Sequence, residues 1–243
     1  MGAEICVAAQ AALGEPLISA TEISAADGFR LWADCYDETP NPLLALEMRL
    51  LAEKNLITPG MRVLDAGSGT GRWMSRAQRR GAHVFGIDAC HEMVLRAERK
   101  TGLRGRSAIA DICSIPLGDG AVDLAICSFT LGYVSRPAAS LQELARVSQH
   151  IIVSDLHPDA VCAGWSRSFR SGHQRYELAH FNHHVDELDR CAGETGLDRV
   201  WRIEASFGEP ERELFARGGK TDAFDEACSV RAVLITLWQK RSD

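Results

Sequence analysis

The stretch Val63-Leu64-Asp65-Ala66-Gly67-Ser68-Gly69-Thr70-Gly71 decides how the chain folds. Arg62 to Ala66 predicts a short buried strand with an acid near its end, and Arg72 to Arg80 has a helical pattern. Glycine is needed where the backbone takes a positive φ or approaches a ligand closely. The helix that follows offers unpaired N–H groups and a positive dipole end to an anionic group. The stretch therefore predicts a strand, a glycine loop and a helix that together hold a nucleotide-like cofactor.

The spacing of the glycines separates two cofactor classes. The dinucleotide pattern G-x-G-x-x-G would require a glycine at position 72, which is Arg72 here. The chain instead has D-x-G-x-G-x-G, which resembles motif I of the class I S-adenosylmethionine-dependent methyltransferases. The resemblance implies that this loop holds the methionine part of S-adenosylmethionine, through Asp65, Ala66, Gly67, Ser68, Gly69 and Gly71.

A second acid follows at the end of the next predicted strand. His83 to Ile87 is a β-rich run that ends at Asp88. In dinucleotide folds an acid about 20 residues after the glycine loop accepts hydrogen bonds from the ribose hydroxyls. The family resemblance assigns Asp88 to the ribose of the cofactor and places Ala89 or Met93 against the adenine, although Met93 also fits a plain core position.

A third acid, Asp111, follows the predicted strand Ser107 to Ala110. The resemblance implies that its carboxylate accepts from the adenine amino group and that the backbone N–H of Ile112 meets a ring nitrogen. An isolated acid at a strand end would be unremarkable. Because Asp65 and Asp88 also lie at the ends of predicted strands, Asp111 at the end of a third strand predicts an adenine site.

The order of the predicted elements defines the fold class. Short apolar or β-branched runs alternate with helical segments up to the fifth strand, His150 to Asp155, which favours a doubly wound, mostly parallel α/β sheet. The resemblance implies a Rossmann-like sheet of seven strands with an antiparallel last strand inserted between the fifth and the sixth. We predict one methyltransferase domain over residues 1–243, with a helical cap at 1–60, the core at 61–243 and a substrate-covering insert at about 156–184.

The fourth strand, Val122 to Phe129, ends where cofactor and acceptor meet in the family. Ser128 and Phe129 are therefore expected to contact the cofactor and Tyr133 the acceptor. The N-P-P-Y sequence typical of amide or nucleobase methylation is absent here. In related small-molecule enzymes a Tyr-Asp pair in the N-terminal cap often lies against the methionine end, so Tyr36 is either such a residue or a core aromatic.

The insert carries most of the candidate acceptor-binding and catalytic side chains. Aromatic rings there would stack on a flat substrate, arginines would pair with an anionic group, and a histidine would serve as a general base. The substrate-binding candidates are Trp165, Arg170, Arg175 and Tyr176. The candidate bases are His157 first, then His173 and His180. Surface loops also carry His and Arg without any such role.

Composition narrows the function classes. The chain has 243 residues, of which 46% are hydrophobic and 25% charged, and its net charge of −6 argues against a nucleic-acid partner. No apolar run reaches the length of a membrane span. The eight cysteines contain no C-x-x-C pair, so we expect reduced thiols, no metal site and a cytoplasmic protein.

These observations predict an S-adenosylmethionine-dependent methyltransferase, of the EC 2.1.1 type, that acts on an O, N or C atom of a small-molecule metabolite. We expect a monomer or homodimer without a nucleic-acid or membrane partner. Two alternatives remain: a non-catalytic S-adenosylmethionine-binding scaffold on the same fold, and an NAD(P)-dependent oxidoreductase. The glycine spacing and Asp65 argue against the second alternative.

Overall fold

The computed structural model describes residues 6–7 and 20–241. Within this part of the chain the strands are β1 (Cys6–Val7), β2 (Thr21–Ile23), β3 (Arg62–Ala66), β4 (His83–Asp88), β5 (Ser107–Ile109), β6 (Val122–Ser128), β7 (Ser148–Leu156), β8 (Arg167–Ser171), β9 (Gln174–Leu178), β10 (Leu197–Ala205) and β11 (Val233–Lys240). The α-helices are α1 (Ala25–Trp32), α2 (Pro42–Ala52), α3 (Arg72–Arg79), α4 (His91–Glu98), α5 (Pro137–Val147), α6 (Pro158–Cys162), α7 (Val185–Glu194), α8 (Glu209–Arg217) and α9 (Phe224–Cys228).

A large sheet forms the centre of the fold. Within the described residues it has seven strands in the order β10-β11-β7-β6-β3-β4-β5. Strand β11 runs antiparallel to both of its neighbours, β7 and β10, and the other pairs are parallel. The predicted fold class is therefore confirmed, including the insertion of the last strand between the fifth and sixth strands of the core.

Both faces of the central strands are buried, as parallel sheets require. Val63 packs in the hydrophobic cluster on one face, and the next residue, Leu64, packs in the cluster on the other face. Ile126 and Cys127 of β6 divide between the same two clusters. Successive side chains of a strand point to opposite faces, so these continuous apolar runs fill two cores at once.

The chain order places the crevice of the sheet next to β3. From β3 the chain continues to β4 and β5 on one side, and then returns to β6 on the other side. Ligands of open α/β sheets bind at the carboxyl ends of the strands at such a switch point. The ends of β3, β4 and β6 therefore face one site.

A second, four-stranded sheet joins the insert to the N-terminal segment. Its order is β1-β8-β9-β2, in which β8 and β9 form a hairpin and β2 pairs in parallel with β9. We predicted a helical cap over residues 1–60. The described parts of this cap include β1 and β2, while residues 1–5 and 8–19 lie outside the described range. These strands pair with residues more than a hundred positions away, which the local pattern does not reveal.

The segment after β10 contains two helices. Residues 208–229 are largely polar in sequence, and the structure contains α8 and α9 there. At the start of α8 the Glu211 side chain accepts from the backbone N–H of Gly208 at 3.0 Å. Phe215 and Phe224 then pack with Phe207 in the core.

In the described part of the chain, no helix is both long and apolar enough to cross a membrane.

Candidate active site

A cavity of about 700 Å³ opens at the carboxyl ends of β3, β4, β5 and β6. Its lining includes the following residues that the sequence predicted as ligand-binding: Tyr36, Gly67, Gly69, Asp88, Ala89, Met93, Asp111, Ile112, Ser128, Phe129 and Tyr133. These side chains come from separate strand ends and from the cap. The structure thus brings most of the predicted cofactor residues to one cavity.

The glycine loop is held to β4 by its own backbone. The N–H groups of Gly67 and Ser68 both donate to the carbonyl of Ile87, each at 2.8 Å. Gly67, Gly69 and Gly71 have φ angles of 75°, 52° and 81°. A Cβ on Gly67 would lie 2.1 Å from the Thr130 hydroxyl oxygen, whereas a Cβ on Gly69 would meet nothing within 4 Å. Gly67 is therefore required by packing, and Gly69 leaves open backbone that faces the cavity.

Asp88 fastens the loop to the next strand end. Its Oδ2 accepts from the Gly69 N–H at 2.7 Å, and its Oδ1 accepts from the Cys90 N–H at 2.8 Å. Burial raises the pKa of this carboxyl, while the two N–H groups act in the opposite direction. Each carboxylate oxygen has a further lone pair, so Asp88 can accept from ligand hydroxyls while it keeps both backbone bonds.

The carboxyl group of Asp65 lies beneath the loop. Asp65 is buried, does not line the cavity, and accepts from the backbone N–H of Met74 at 3.1 Å. Burial raises its pKa to about 7, although the nearby Arg72 lowers it. Its placement supports a role in fixing the start of α3. Of the loop residues predicted to bind the cofactor, Ala66, Ser68 and Gly71 also lie outside the cavity lining.

The residues predicted to contact the adenine, Ala89, Met93, Asp111 and Ile112, all line the cavity. Asp111 Oδ1 accepts from the Cys113 N–H at 2.8 Å, which forms a turn after β5. Ala89, Met93 and Ile112 contribute apolar lining to the same cavity. This part of the lining therefore combines apolar surface with a carboxylate, as a purine site needs.

The N-terminal cap contacts the glycine loop through Asp37. The Thr70 hydroxyl donates to Asp37 Oδ1 at 2.5 Å, and the Lys100 ammonium lies 2.7 Å from Asp37 Oδ2. Tyr36, the preceding residue, lines the cavity. The Tyr-Asp pair therefore ties the cap to the loop while its tyrosine faces the ligand space.

A buried polar network supports the end of β6. Glu47 of α2 is fully buried and forms an ion pair with Arg72 at 2.5 Å. The hydroxyl of Ser128 donates to Glu47 Oε1 at 2.7 Å, and Ser154 also donates to this oxygen. Ser128 thus lines the cavity while its hydroxyl is engaged behind it.

The remaining end of the cavity is aromatic and contains one buried arginine. Arg167, the first residue of β8, is 3% exposed and lines the cavity. Its guanidinium donates to the Tyr36 hydroxyl at 3.0 Å. Phe129, beside it, has a φ of 49°, which is uncommon for a residue other than glycine and is typical of functional sites.

None of the three candidate histidine bases lines this cavity. Nδ1 of His157 accepts from the Asp159 N–H at 3.0 Å and caps α6, and its Nε2 is 3.3 Å from Glu204 Oε2. His173 is exposed in the β8–β9 turn. His180 lies behind Tyr133, with the two ring centres 5.5 Å apart. A histidine that does line the cavity is His91, which is exposed at the start of α4 beside the cofactor residues.

The four insert residues proposed for the acceptor also lie outside the cavity lining. Trp165 is buried and stacks on Phe207 at 5.8 Å, and Tyr176 stacks on Phe169 at 5.5 Å. Arg170 is exposed on β8, and Arg175 lies within hydrogen-bond distance of Ser168. In place of these residues the hairpin presents Arg167, which the sequence did not separate from the other arginines of the insert.

Among the described residues, no group of three or more His, Cys, Asp or Glu side chains could hold a metal ion.

The sheet order and the loop-and-acid constellation define a class I methyltransferase-type α/β protein. Residues 64–150 match the family model described as a methyltransferase domain. A malonyl-[acyl-carrier protein] O-methyltransferase from Serratia marcescens is 34% identical over 91 residues, which is 37% of this chain and 35% of that protein. A 37.1 kDa transposon protein from Streptomyces fradiae is 36% identical over 94 residues, which is 37% of this chain and 27% of that protein.

Solved structures show the same fold. A structure from Listeria monocytogenes that is assigned to the S-adenosylmethionine-dependent methyltransferases matches with a TM-score of 0.63 and 18% identity, over 82% of this chain and all of that one. Magnesium protoporphyrin IX methyltransferase from Synechocystis, solved with bound S-adenosylmethionine, matches with a TM-score of 0.54 and 18% identity, over 83% and 79% of the two chains.

These findings confirm the methyltransferase domain predicted from the glycine motif. Residues 64–150 form this domain, and the fold is that of solved S-adenosylmethionine-dependent methyltransferases. The aligned region spans only about a third of the two curated relatives described above.

Proposed function

We propose that this protein transfers the methyl group of S-adenosylmethionine to an O, N or C atom of a small-molecule acceptor. The observation that carries the proposal is the division of one cavity into two ends. Gly69, Asp88 and Asp111 lie at the ends of β3, β4 and β5, and Phe129 and Tyr133 follow the end of β6 on the other side of β3. The first end suits a nucleoside with an amino-acid tail, and the second suits an organic acceptor.

The residues of the chain have positioning as their main task. Bound S-adenosylmethionine supplies a methyl group on a sulfonium, which is already a strong leaving group. Asp88 and the glycine loop are held in place by the hydrogen bonds described above, so binding requires little rearrangement of the site. The aromatic end excludes water and holds the acceptor atom in line with the methyl group.

The proposal requires no histidine base. His157, His173 and His180 stay predictions for this role, but their placement outside the cavity lining gives them no support. The hydroxyls of Tyr36 and Tyr133 are the acid–base groups at the aromatic end. Because positioning alone can accelerate such a transfer strongly, an acceptor that is already a good nucleophile needs no proton acceptor from the protein.

A small-molecule acceptor agrees with the form of the site. The cavity volume lies within the range of about 300–1,000 Å³ typical of ligand pockets. The net charge of −6 gives no general attraction for a nucleic-acid backbone. The relative named as a malonyl-[acyl-carrier protein] O-methyltransferase acts, by its name, on a carrier-bound acyl group, so the range of acceptors includes carboxylic acids. We retain a monomer or homodimer, without nucleic-acid or membrane partners and in the cytoplasm, as predictions.

The proposal is tested first by calorimetric titration of S-adenosylmethionine and S-adenosylhomocysteine into the wild type, Asp88→Ala and Asp119→Ala. Asp119 is an exposed surface acid and serves as the control. We expect micromolar binding that weakens at least about tenfold, or about 1.4 kcal/mol, in Asp88→Ala only. Binding of NAD or NADP in place of S-adenosylmethionine would contradict the proposal. Cofactor binding without methylation of any acceptor in a broad screen would favour the scaffold alternative.

A further inference from the structure

Arg167 is a buried cation inside the cavity without an acidic partner. It is 3% exposed, and no carboxylate of the described residues lies within ion-pair distance of it. The nearest acid that acts on it electrostatically is Asp155. Both oxygens of Asp155 are already engaged, Oδ2 by the Gly132 N–H at 2.6 Å and Oδ1 by the Leu156 N–H at 2.8 Å.

The groups around Arg167 keep its guanidinium protonated and only partly offset the positive charge. Burial alone would lower the pKa of the guanidinium, but Tyr133 and Tyr36 raise it above its usual value. Four aromatic rings surround its Cζ at 5.6 to 6.0 Å, namely Phe29, Trp32, Phe129 and Tyr133. These distances are at the limit of about 6 Å for cation–π attraction. Removing a charge from water is unfavourable in such surroundings unless an opposite charge is supplied.

A second polar group lies at the same place. The hydroxyl oxygen of Tyr133 is buried beside the Arg167 guanidinium, and its proton has no acceptor within the described structure. Burial raises the pKa of Tyr133, so the phenol keeps its proton at neutral pH and can donate. Tyr36 accepts one N–H of Arg167 and faces the cavity as well. Both the guanidinium and the phenol are therefore donors available to a ligand.

We propose that Arg167 and Tyr133 bind a carboxylate of the methyl acceptor, so that the acceptor is a small carboxylic acid with an apolar or flat skeleton. This inference rests on the proposed methyltransferase function. A guanidinium fork matches the two oxygens of a carboxylate, and the phenol adds one more donor. The surrounding rings select against a strongly hydrated skeleton.

The test uses pairs of simple acids and their uncharged amides as probes. Benzoate, 3-phenylpropionate and hexanoate are titrated against benzamide, 3-phenylpropionamide and hexanamide, each in the presence of saturating S-adenosylhomocysteine. We expect at least one acid to bind the wild type at least tenfold more tightly than its amide. This preference should disappear in Arg167→Gln, weaken severalfold in Tyr133→Phe, and survive in Arg190→Gln, which changes an exposed arginine of α7.

The variant Arg167→Lys keeps the charge without the planar fork. Arg167→Lys should retain only part of the preference for acids over amides. It replaces Arg167→Gln in the test if that variant does not fold. Equal binding of acids and amides by the wild type, the absence of acid binding at millimolar concentration, or an acid preference that survives in Arg167→Gln would overturn the proposal.

The cofactor itself carries a carboxylate, so a separate measurement distinguishes the two sources. S-adenosylhomocysteine and 5′-methylthioadenosine, which lacks the amino-acid tail, are titrated into the wild type and Arg167→Gln. We expect both affinities to change less than threefold. A tenfold loss for S-adenosylhomocysteine alone would assign Arg167 to the cofactor and overturn the assignment to the acceptor. Failure of the wild type to bind S-adenosylhomocysteine would instead overturn the proposed function.

Discussion

The carboxylate of Asp37 accepts a hydrogen bond from the hydroxyl of Thr70, with 2.5 Å between the two oxygens. Asp37 belongs to the N-terminal cap and Thr70 to the glycine loop, so this contact closes the cap onto the cofactor site. Lys100 adds an ion pair to the same carboxylate at 2.7 Å. The cap is therefore fixed to the loop directly next to Tyr36.

Asp37→Ala should weaken cofactor binding with little effect on stability. The side chain of Asp37 is 49% exposed, so its ion pair contributes only about 0–1 kcal/mol to folding. Loss of the cap contact should lower the affinity for S-adenosylhomocysteine about threefold to tenfold, mainly through faster dissociation. Calorimetry and stopped-flow fluorescence measure the two effects.

The matched control is Asp34→Ala. Asp34 is an exposed acid of the same segment that pairs with Arg96 of α4. We expect it to bind the cofactor as the wild type does. Equal losses in the two variants would show that the contact between Asp37 and the loop has no particular role.

Gly69→Ala should abolish cofactor binding without unfolding the protein. A Cβ at Gly69 meets nothing in the structure, but it would enter the cavity where backbone approaches the ligand. A left-handed φ costs a residue other than glycine about 1–2 kcal/mol. Thermal unfolding should show this loss of stability. Calorimetry should show a decrease in cofactor affinity of at least about tenfold, or 1.4 kcal/mol.

Gly105→Ala controls for the backbone strain. Gly105 has a φ of 71°, also has open space around its Cβ position, and does not line the cavity. It should lose similar stability and keep its affinity. A cofactor affinity that stays normal in Gly69→Ala would contradict the placement of the ligand on this loop.

Glu47→Ala should be destabilising. Glu47 is fully buried. Its Oε2 accepts from Arg72, and its Oε1 accepts from the hydroxyl of Ser128. Removal of one member of a fully buried ion pair costs about 3–5 kcal/mol. Because the Arg72 side chain is 26% exposed, we expect a smaller loss here, to which the buried hydroxyl of Ser154 contributes when it loses its acceptor. Urea unfolding measures the loss. Glu53→Ala, an exposed acid just after α2, should change the free energy of unfolding by less than about 0.5 kcal/mol.

Asp65→Asn should change how stability depends on pH. Burial raises the folded-state pKa of Asp65 from 3.8 to about 7. The folded state therefore holds a proton that the unfolded state releases between these values, and the contribution of Asp65 to stability is lost as the pH rises from about 4 to about 7. Relative to the wild type, the variant should gain stability over this range, by at most about 4 kcal/mol.

Chemical denaturation at pH 4, 5.5 and 7 checks this prediction, and Asp123→Asn, measured also at pH 2 and 3, provides a contrast. Hydrogen bonds from Arg62 lower the pKa of Asp123, so its contribution is lost as the pH falls, which is the opposite sign. A difference between Asp65→Asn and the wild type that does not vary with pH would show that Asp65 is ionised throughout.

Much of the cofactor site was predictable because its signals are local. Gly67, Asp88 and Asp111 each follow a strand that its own apolar run reveals, and parallel strands bring their carboxyl ends to one edge. The structure places all three on the cavity. Asp65 was equally visible in the motif, but its neighbours did not reveal that its carboxylate turns under the loop to Met74.

The acceptor end was not predictable in the same way. The sequence placed aromatic, arginine and histidine side chains in the insert, but it could not say which of them face the cavity. That choice depends on the pairing of β8 and β9 with β1 and β2 and on the packing of Arg167 against α1. His157, the first candidate base, instead caps α6.

The sequence by itself therefore determined the α/β fold, the cofactor class and the three strand-end positions, because each depends on periodicity or on backbone freedom within a few residues. Only the tertiary structure decided that Arg167 meets Tyr36 and that Asp37 meets Thr70. These contacts join segments far apart in the chain, and their partners are selected by the packing of whole elements, which no local pattern encodes.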